Sequence, residues 1–70
     1  MEHVYVSSSN LRSVGYDRSS MTLEIAFNSG SLYAYHGVPG DVYAGLLSAG
    51  SKGTYHHNFI KNSYPYTRIR

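Results

Sequence analysis

The chain has 70 residues, a formal net charge of +2 and no cysteine, which excludes disulfide bonds and thiolate metal sites. A chain of this length has a thin core, so residues 1–70 are predicted to form a single domain. No segment resembles a signal peptide, and no apolar run approaches the ~20 residues of a membrane span. We therefore expect a cytoplasmic domain that makes no contact with a membrane.

Charge and tyrosine content are the unusual features of the composition. Eight tyrosines stand against two phenylalanines and no tryptophan. All four acids precede residue 42, whereas the rest of the chain carries only cations: Lys52, Lys61, Arg68 and Arg70. This asymmetry has two interpretations: the cations attract an anionic partner, or they only keep a small domain in solution.

The first third of the chain predicts short β-strands. Residues 4–6 predict a short edge strand or an extended arm before the serine run 7–9. Residues 11–16 predict a second strand, because branched and aromatic residues alternate with polar ones. Strict alternation puts Arg12, Val14 and Tyr16 on one face, and Leu11 and Ser13 on the other.

Residues 21–27 give the clearest strand pattern, with Leu23, Ile25 and Phe27 pointing one way. The next strand starts after a turn at residues 28–30, and two registers are open. A two-residue loop pairs Phe27 with Leu32. A three-residue loop pairs Ile25 with Tyr33 and Leu23 with Tyr35. We favour the second register, because it places Gly30 where a type I turn with a bulge requires positive φ.

Two short helices are predicted after Val38. Pro39 suits the first helical position, and Gly50 suits the helix end. The apolar stripe of this helix comprises Val42, Tyr43, Leu46, Leu47 and Ala49.

Ser51 is predicted to cap the second helix, whose buried side is assigned to Tyr55, Phe59 and Ile60. Residues 66–70 form either a final strand or a tail. The predicted fold class is α+β: a three-stranded antiparallel β-meander, with room for a short extra N-terminal strand, packed by two short C-terminal helices.

An ordered set of motifs spanning about residues 6–66 resembles the KTSC domain: Gly15-Tyr16, Leu23-x-Ile25-x-Phe27, Gly30-x-x-Tyr33-x-Tyr35-x-x-Val38-Pro39, Ser51-x-Gly53-x-Tyr55 and Tyr64-Pro65-Tyr66. That family is named for the C-terminal extension of some lysyl-tRNA synthetases, and it also occurs as free-standing small bacterial or phage proteins. One departure is His56-His57, where the family more often has Phe-Asn. The resemblance implies a non-enzymatic binding or interaction module, and the synthetase context makes RNA the alternative ligand.

The candidate RNA-binding residues are cations for the phosphates and tyrosines for stacking on unpaired bases. They are Lys52, Lys61, Arg68, Arg70, Tyr33, Tyr35, Tyr64 and Tyr66, with Arg12 and Arg18 as further cations. The competing interpretation assigns Tyr33 and Tyr35 to the core. A protein partner is the other hypothesis, and the edge strand at residues 4–6 would pair with it.

The sequence contains few features typical of a catalytic, cofactor-binding or metal-binding site. No nucleophile elbow, phosphate loop or dinucleotide motif is present. His56 and His57 point about 100° apart on a helix, so they are ill placed to share an ion, and both are predicted to be surface histidines. We therefore predict no enzyme activity, no cofactor and no metal.

Overall fold

The computed structural model describes all residues from 1 to 70, and its centre is one antiparallel sheet of five strands. The strands follow chain order: β1 (His3–Tyr5), β2 (Leu11–Asp17), β3 (Thr22–Phe27), β4 (Leu32–Tyr35) and β5 (Tyr66–Arg68). The α+β class is confirmed, and the predicted three-stranded antiparallel meander is present as β2–β3–β4 within a sheet of five strands. Both chain ends add a strand, because residues 3–5 pair with β2 and residues 66–68 pair with β4.

A β-bulge at Arg12 changes which residues of β2 share a face. Leu11 pairs with Phe27 and Ser13 pairs with Ala26, so Arg12 is the extra residue of the strand. The predicted strict alternation is therefore wrong here. The bulge lets Leu11 and Val14 both enter the core and leaves Arg12 exposed.

The β3–β4 hairpin adopts the register that we favoured. Leu23 pairs with Tyr35 and Ile25 pairs with Tyr33. Gly30 has φ +100°, the conformation that this loop requires and that a side chain rarely adopts.

Two helical segments pack on one face of the sheet. Helix α1 (Gly40–Ser48) begins one residue after Pro39, and its buried residue is Leu46. The helix ends just before Gly50, as predicted, but its C-cap is Ala49 in an extended conformation, and Gly50 does not adopt the positive φ typical of a glycine stop. Helix α2 (Lys52–Tyr55) begins at the predicted cap, because the Ser51 hydroxyl accepts a hydrogen bond from the Thr54 N–H.

Helix α2 continues directly into a π-helical turn (His56–Ile60), in which the Lys61 N–H donates to the His56 carbonyl over 2.8 Å. The wider turn changes the side chains that face the sheet. Ile60 and His56 are buried, whereas Phe59 is 55% exposed, which corrects the predicted burial of Phe59.

The core lies between the sheet and the helices. Its eight buried members are Leu11, Val14, Leu23, Ile25, Tyr35, Val38, Leu46 and Ile60. No helix is long and apolar enough to cross a membrane.

Candidate nucleic-acid interface

A cleft of about 360 Å³ opens between the β4–β5 end of the sheet and the π-helical turn. Its aromatic lining comprises Phe27, Tyr33, Tyr35, Tyr66 and His56. The hairpin register places Tyr33 and Tyr35 on the helix side of β4, and the pairing of β5 adds Tyr66 opposite Tyr35. The aromatic cleft, as we call it, therefore depends on strand pairing between distant parts of the chain.

The tyrosines of the aromatic cleft pack against one another, and two of them, Tyr33 and Tyr66, remain partly exposed. The centroids of the Tyr33 and Tyr66 rings are 5.3 Å apart, and those of Tyr35 and Tyr66 are 5.8 Å apart. Phe27 meets Tyr33 edge to face at 5.7 Å. Tyr66 remains 56% exposed and Tyr33 is half-buried, so both offer a surface on which a planar ligand can stack.

A buried hydrogen bond between Tyr35 and His56 forms the inner wall of the cleft. The Tyr35 hydroxyl lies 2.8 Å from His56 Nε2 and donates to it when the imidazole carries its proton on Nδ1. Burial, with Tyr33 and Tyr66 nearby, raises the pKa of Tyr35 to about 12. Burial, together with Lys61 and His57, lowers the pKa of His56. Both groups are therefore neutral at pH 7.

The second nitrogen of His56 remains available to a ligand. Nδ1 makes no hydrogen bond within the protein. Every fully buried polar side-chain atom, in contrast, has a hydrogen-bond partner. Nδ1 is therefore not fully buried, and it offers a free N–H donor beside the cleft when the Tyr35 hydroxyl donates to Nε2.

Positive charge and neutral polar groups complete the aromatic cleft. Lys61 is its one charged lining residue, and no acid lines it. The Arg68 guanidinium lies 5.9 Å from the centre of the Tyr33 ring and donates to the Ser31 hydroxyl over 3.4 Å. Further polar lining comes from Asn10, Ser29, Ser31 and Asn62. This lining matches an aromatic ligand that carries negative charge.

The structure brings together five of the eight predicted residues: Lys61, Arg68, Tyr33, Tyr35 and Tyr66. The other three lie outside the cleft.

Lys52 lines a separate hollow beside the serine run 7–9, and its ammonium donates to the Ala49 carbonyl. Tyr64 is half-buried against the core. Arg70 lies at a different hollow, which also contains Gly30.

His56 was predicted at the surface, and this is wrong: it is 6% exposed and faces the sheet. The sequence held a signal for its burial, because His56 and Ile60 are four residues apart and share a helix face. No group of three or more His, Cys, Asp and Glu side chains is placed to hold a metal ion.

Comparison with known proteins agrees with this architecture. The KTSC domain profile matches residues 7–64. A protein of Stutzerimonas stutzeri is 44% identical over 70 residues, which cover 99% of each chain. A lysine–tRNA ligase of Nostoc is 39% identical over 59 residues, which are 84% of this chain but 10% of the ligase.

A crystal structure of a KTSC domain protein from Yersinia pestis superimposes with a TM-score of 0.96 at 36% identity, covering 99% of this chain and 97% of that one. The profile match spans most of the 70 residues, and the structural match extends over both added strands. The chain belongs to the KTSC domain family.

Proposed function

We propose that this KTSC domain is a non-catalytic module that binds single-stranded RNA, with one base held in the aromatic cleft. The observation that carries the proposal is the lining of the cleft: stacked tyrosines and Lys61, without any acid. Proteins recognise unpaired RNA bases by stacking them on aromatic rings and pairing the backbone with cations.

The dimensions and charges of the cleft suit one nucleotide. A volume of about 360 Å³ lies at the small end of ligand sites. A base would stack on the exposed ring of Tyr66 and on Tyr33, and the adjoining phosphates would meet Lys61 and Arg68. The free N–H of His56 would donate to a base carbonyl or ring nitrogen.

The family context supports the same ligand class. Three relatives that match 77–84% of this chain are lysine–tRNA ligases, proteins whose name specifies a tRNA substrate. In each of them the matching segment is 10% of the ligase. A segment carried by such enzymes is a reasonable place for an RNA-binding module.

The test is fluorescence anisotropy of labelled single-stranded RNA over a range of salt concentrations. Tyr66→Ala should weaken binding roughly 5- to 150-fold, the equivalent of about 1–3 kcal/mol for one lost stacking ring. Tyr66→Phe should bind like the wild type, because it keeps the ring. Lys61→Gln should reduce the slope of log K against log salt by about 0.7.

Lys52→Gln is the matched control, since it removes the same charge outside the cleft. Equal losses from Lys52→Gln and Lys61→Gln would mean that binding does not use the cleft. Absence of RNA binding by the wild type at low salt would reject the proposal.

One structural feature supports a second candidate role, binding to another protein. Strand β1 lies at the sheet edge, and Tyr5 on it is 76% exposed. An edge of this kind can pair with the edge strand of a second copy. Sedimentation over a range of concentrations would show a dimer that Tyr5→Lys weakens, whereas a monomer at every concentration would reject this role.

A further inference from the structure

A second basic hollow lies across the β3–β4 hairpin from the aromatic cleft. Its volume is about 240 Å³, and its charged lining residues are Arg12 and Arg70. Tyr5, the most exposed of the large hydrophobic residues, also lines it. No acid is present in the lining, so this hollow also favours an anion.

Backbone hydrogen bonds fix the chain at both arginines, and the Arg12 carbonyl accepts one from the Val6 N–H. Arg12 is the extra residue of the β2 bulge, which leaves its side chain exposed. Arg70 lies beyond β5, yet its carbonyl accepts a hydrogen bond from the Leu32 N–H over 2.9 Å, and its own N–H donates to the Leu32 carbonyl. The hollow is therefore a defined part of the folded protein.

The hairpin joins the two cavities. Ser29 and Ser31 line the aromatic cleft, Gly30 lines the second hollow, and Phe27 lines both. No heavy atom lies within 4 Å of where a Cβ on Gly30 would stand, so the hairpin tip is open.

Arg68 contacts residues of both cavities. It lies near the Tyr33 ring, donates to Ser31 at the hairpin, and donates through Nε to the Arg70 carbonyl over 3.2 Å. Lys61 thus lies in the cleft, Arg68 contacts the hairpin, and Arg70 and Arg12 lie in the second hollow.

We propose that RNA bound in the aromatic cleft continues over the β3–β4 hairpin, and that its next phosphates bind Arg70 and Arg12. The inference rests on the proposed RNA-binding function and names the path that the strand takes. Tyr5 would stack on a base at the far end of this path. A strand that is too short to cross the hairpin would not reach the arginines.

The experiment compares two RNA lengths and two charge-matched double variants. An oligouridylate of about eight nucleotides spans a binding site of ordinary size, whereas a uridine dinucleotide fills the cleft alone. Arg12→Gln/Arg70→Gln removes the far cations. Arg18→Gln/Lys52→Gln removes the same charge at positions that line neither cavity.

With the longer RNA, Arg12→Gln/Arg70→Gln should reduce the salt slope by about 1.4, since each phosphate contact on a single strand contributes about 0.7. The control should leave that slope unchanged. With the dinucleotide, followed by the NMR shifts of the tyrosine rings, wild type and Arg12→Gln/Arg70→Gln should bind equally.

Three results would overturn this path. The first is an unchanged salt slope when Arg12→Gln/Arg70→Gln binds the longer RNA. The second is an equal reduction of that slope in the control Arg18→Gln/Lys52→Gln. The third is an equal loss of affinity when Arg12→Gln/Arg70→Gln binds the dinucleotide. Each of them leaves RNA binding by the cleft intact. If the wild type binds neither RNA, the proposed function itself fails and the path fails with it.

Discussion

At the scale of single residues, Tyr35 and His56 serve both the core and the cleft. Tyr35 is 3% exposed and belongs to the core cluster, yet its hydroxyl and the imidazole also line the aromatic cleft. The two polar groups satisfy each other in a buried setting, so neither can be removed alone without leaving an unpaired group.

The first prediction is a double-mutant cycle on this pair. Tyr35→Phe and His56→Phe should each lower the free energy of unfolding by about 1–3 kcal/mol, because each leaves one buried polar atom unpaired. The double variant should lie much closer to the wild type, because both partners are then apolar. Urea denaturation measures all four proteins, and additive losses would contradict the pairing.

The second prediction concerns pH, and its sign follows from the lowered pKa of His56. The unfolded chain binds the proton near the usual value of 6.5, before the folded protein does. The stability contributed by the neutral imidazole is therefore complete above about pH 6.5 and is lost as pH falls from there through the lower folded pKa. Denaturation midpoints should fall between pH 7 and 5.

The double variant Tyr35→Phe/His56→Phe should show a smaller decline over the same range, because it has no imidazole at this position. His36→Gln serves as the control, since His36 is exposed and is not among the groups that lower the pKa of His56, and it should decline like the wild type. An equal decline in all three proteins would assign the effect to other groups.

At the scale of elements, α1 and α2 approach each other closely at Gly45. The Tyr55 hydroxyl crosses to α1 and donates to the Val42 carbonyl over 3.1 Å. It passes directly over Gly45, where a Cβ would overlap the hydroxyl and lie 2.8 Å from the ring carbon Cζ. The two helices therefore require glycine at position 45.

The third prediction compares two glycine substitutions. Gly45→Ala should destabilise the protein by about 1–3 kcal/mol, because it displaces the Tyr55 ring. This loss should outweigh the gain in helix propensity, which is about 1 kcal/mol. Gly50→Ala is the control. It has open space around its Cβ position and no positive φ, so thermal melting should show little change or slight stabilisation.

At the scale of the whole molecule, β5 pairs with β4, so the C-terminal residues lie beside the β3–β4 hairpin. Its residues are exposed, so backbone pairing holds it more than burial does. The Leu32 N–H donates to the Arg70 carbonyl, and the His36 N–H donates to the Pro65 carbonyl, both over 2.9 Å. Without β5, the cleft would lose Tyr66 and Arg68 together.

The fourth prediction is the effect of removing residues 66–70. The shortened protein should lose on the order of 2–4 kcal/mol, the sum expected for a few backbone hydrogen bonds. The edge of β4 would also be exposed and would promote aggregation. Removal of residues 1–2, which lie outside the strands, is the control for trimming an end. Equal melting temperatures of the two shortened proteins would contradict a structural role for β5.

Local patterns predicted most of the fold. Alternation of Leu23 and Ile25, with a turn glycine at position 30, was enough to give the correct hairpin register. The Ser51 cap was also correct. The bulge at Arg12 and the π-helical turn at residues 56–60 were not predicted, because each inserts a residue into a regular repeat and the repeat alone carries no sign of it.

The RNA-binding role of the candidate residues stays a prediction, but the structure shows which of them lie together. Lys61, Tyr33, Tyr35 and Tyr66 line one cleft and Lys52 lines a separate hollow, a distinction that the sequence did not make. Charge along a chain does not tell which cations share a surface, since that depends on how the helices and β5 fold back on the sheet.

The sequence by itself therefore determined the α+β class, the central hairpin and the family, since these follow from short-range periodicity, turn chemistry and ordered motifs. Only the tertiary structure decided that both ends of the chain add strands, that His56 is buried against Tyr35, and which cations line the cleft and the second hollow. Those features depend on pairing between residues far apart in the chain, and the free energy of such pairing comes from packing and backbone hydrogen bonds that no local pattern records.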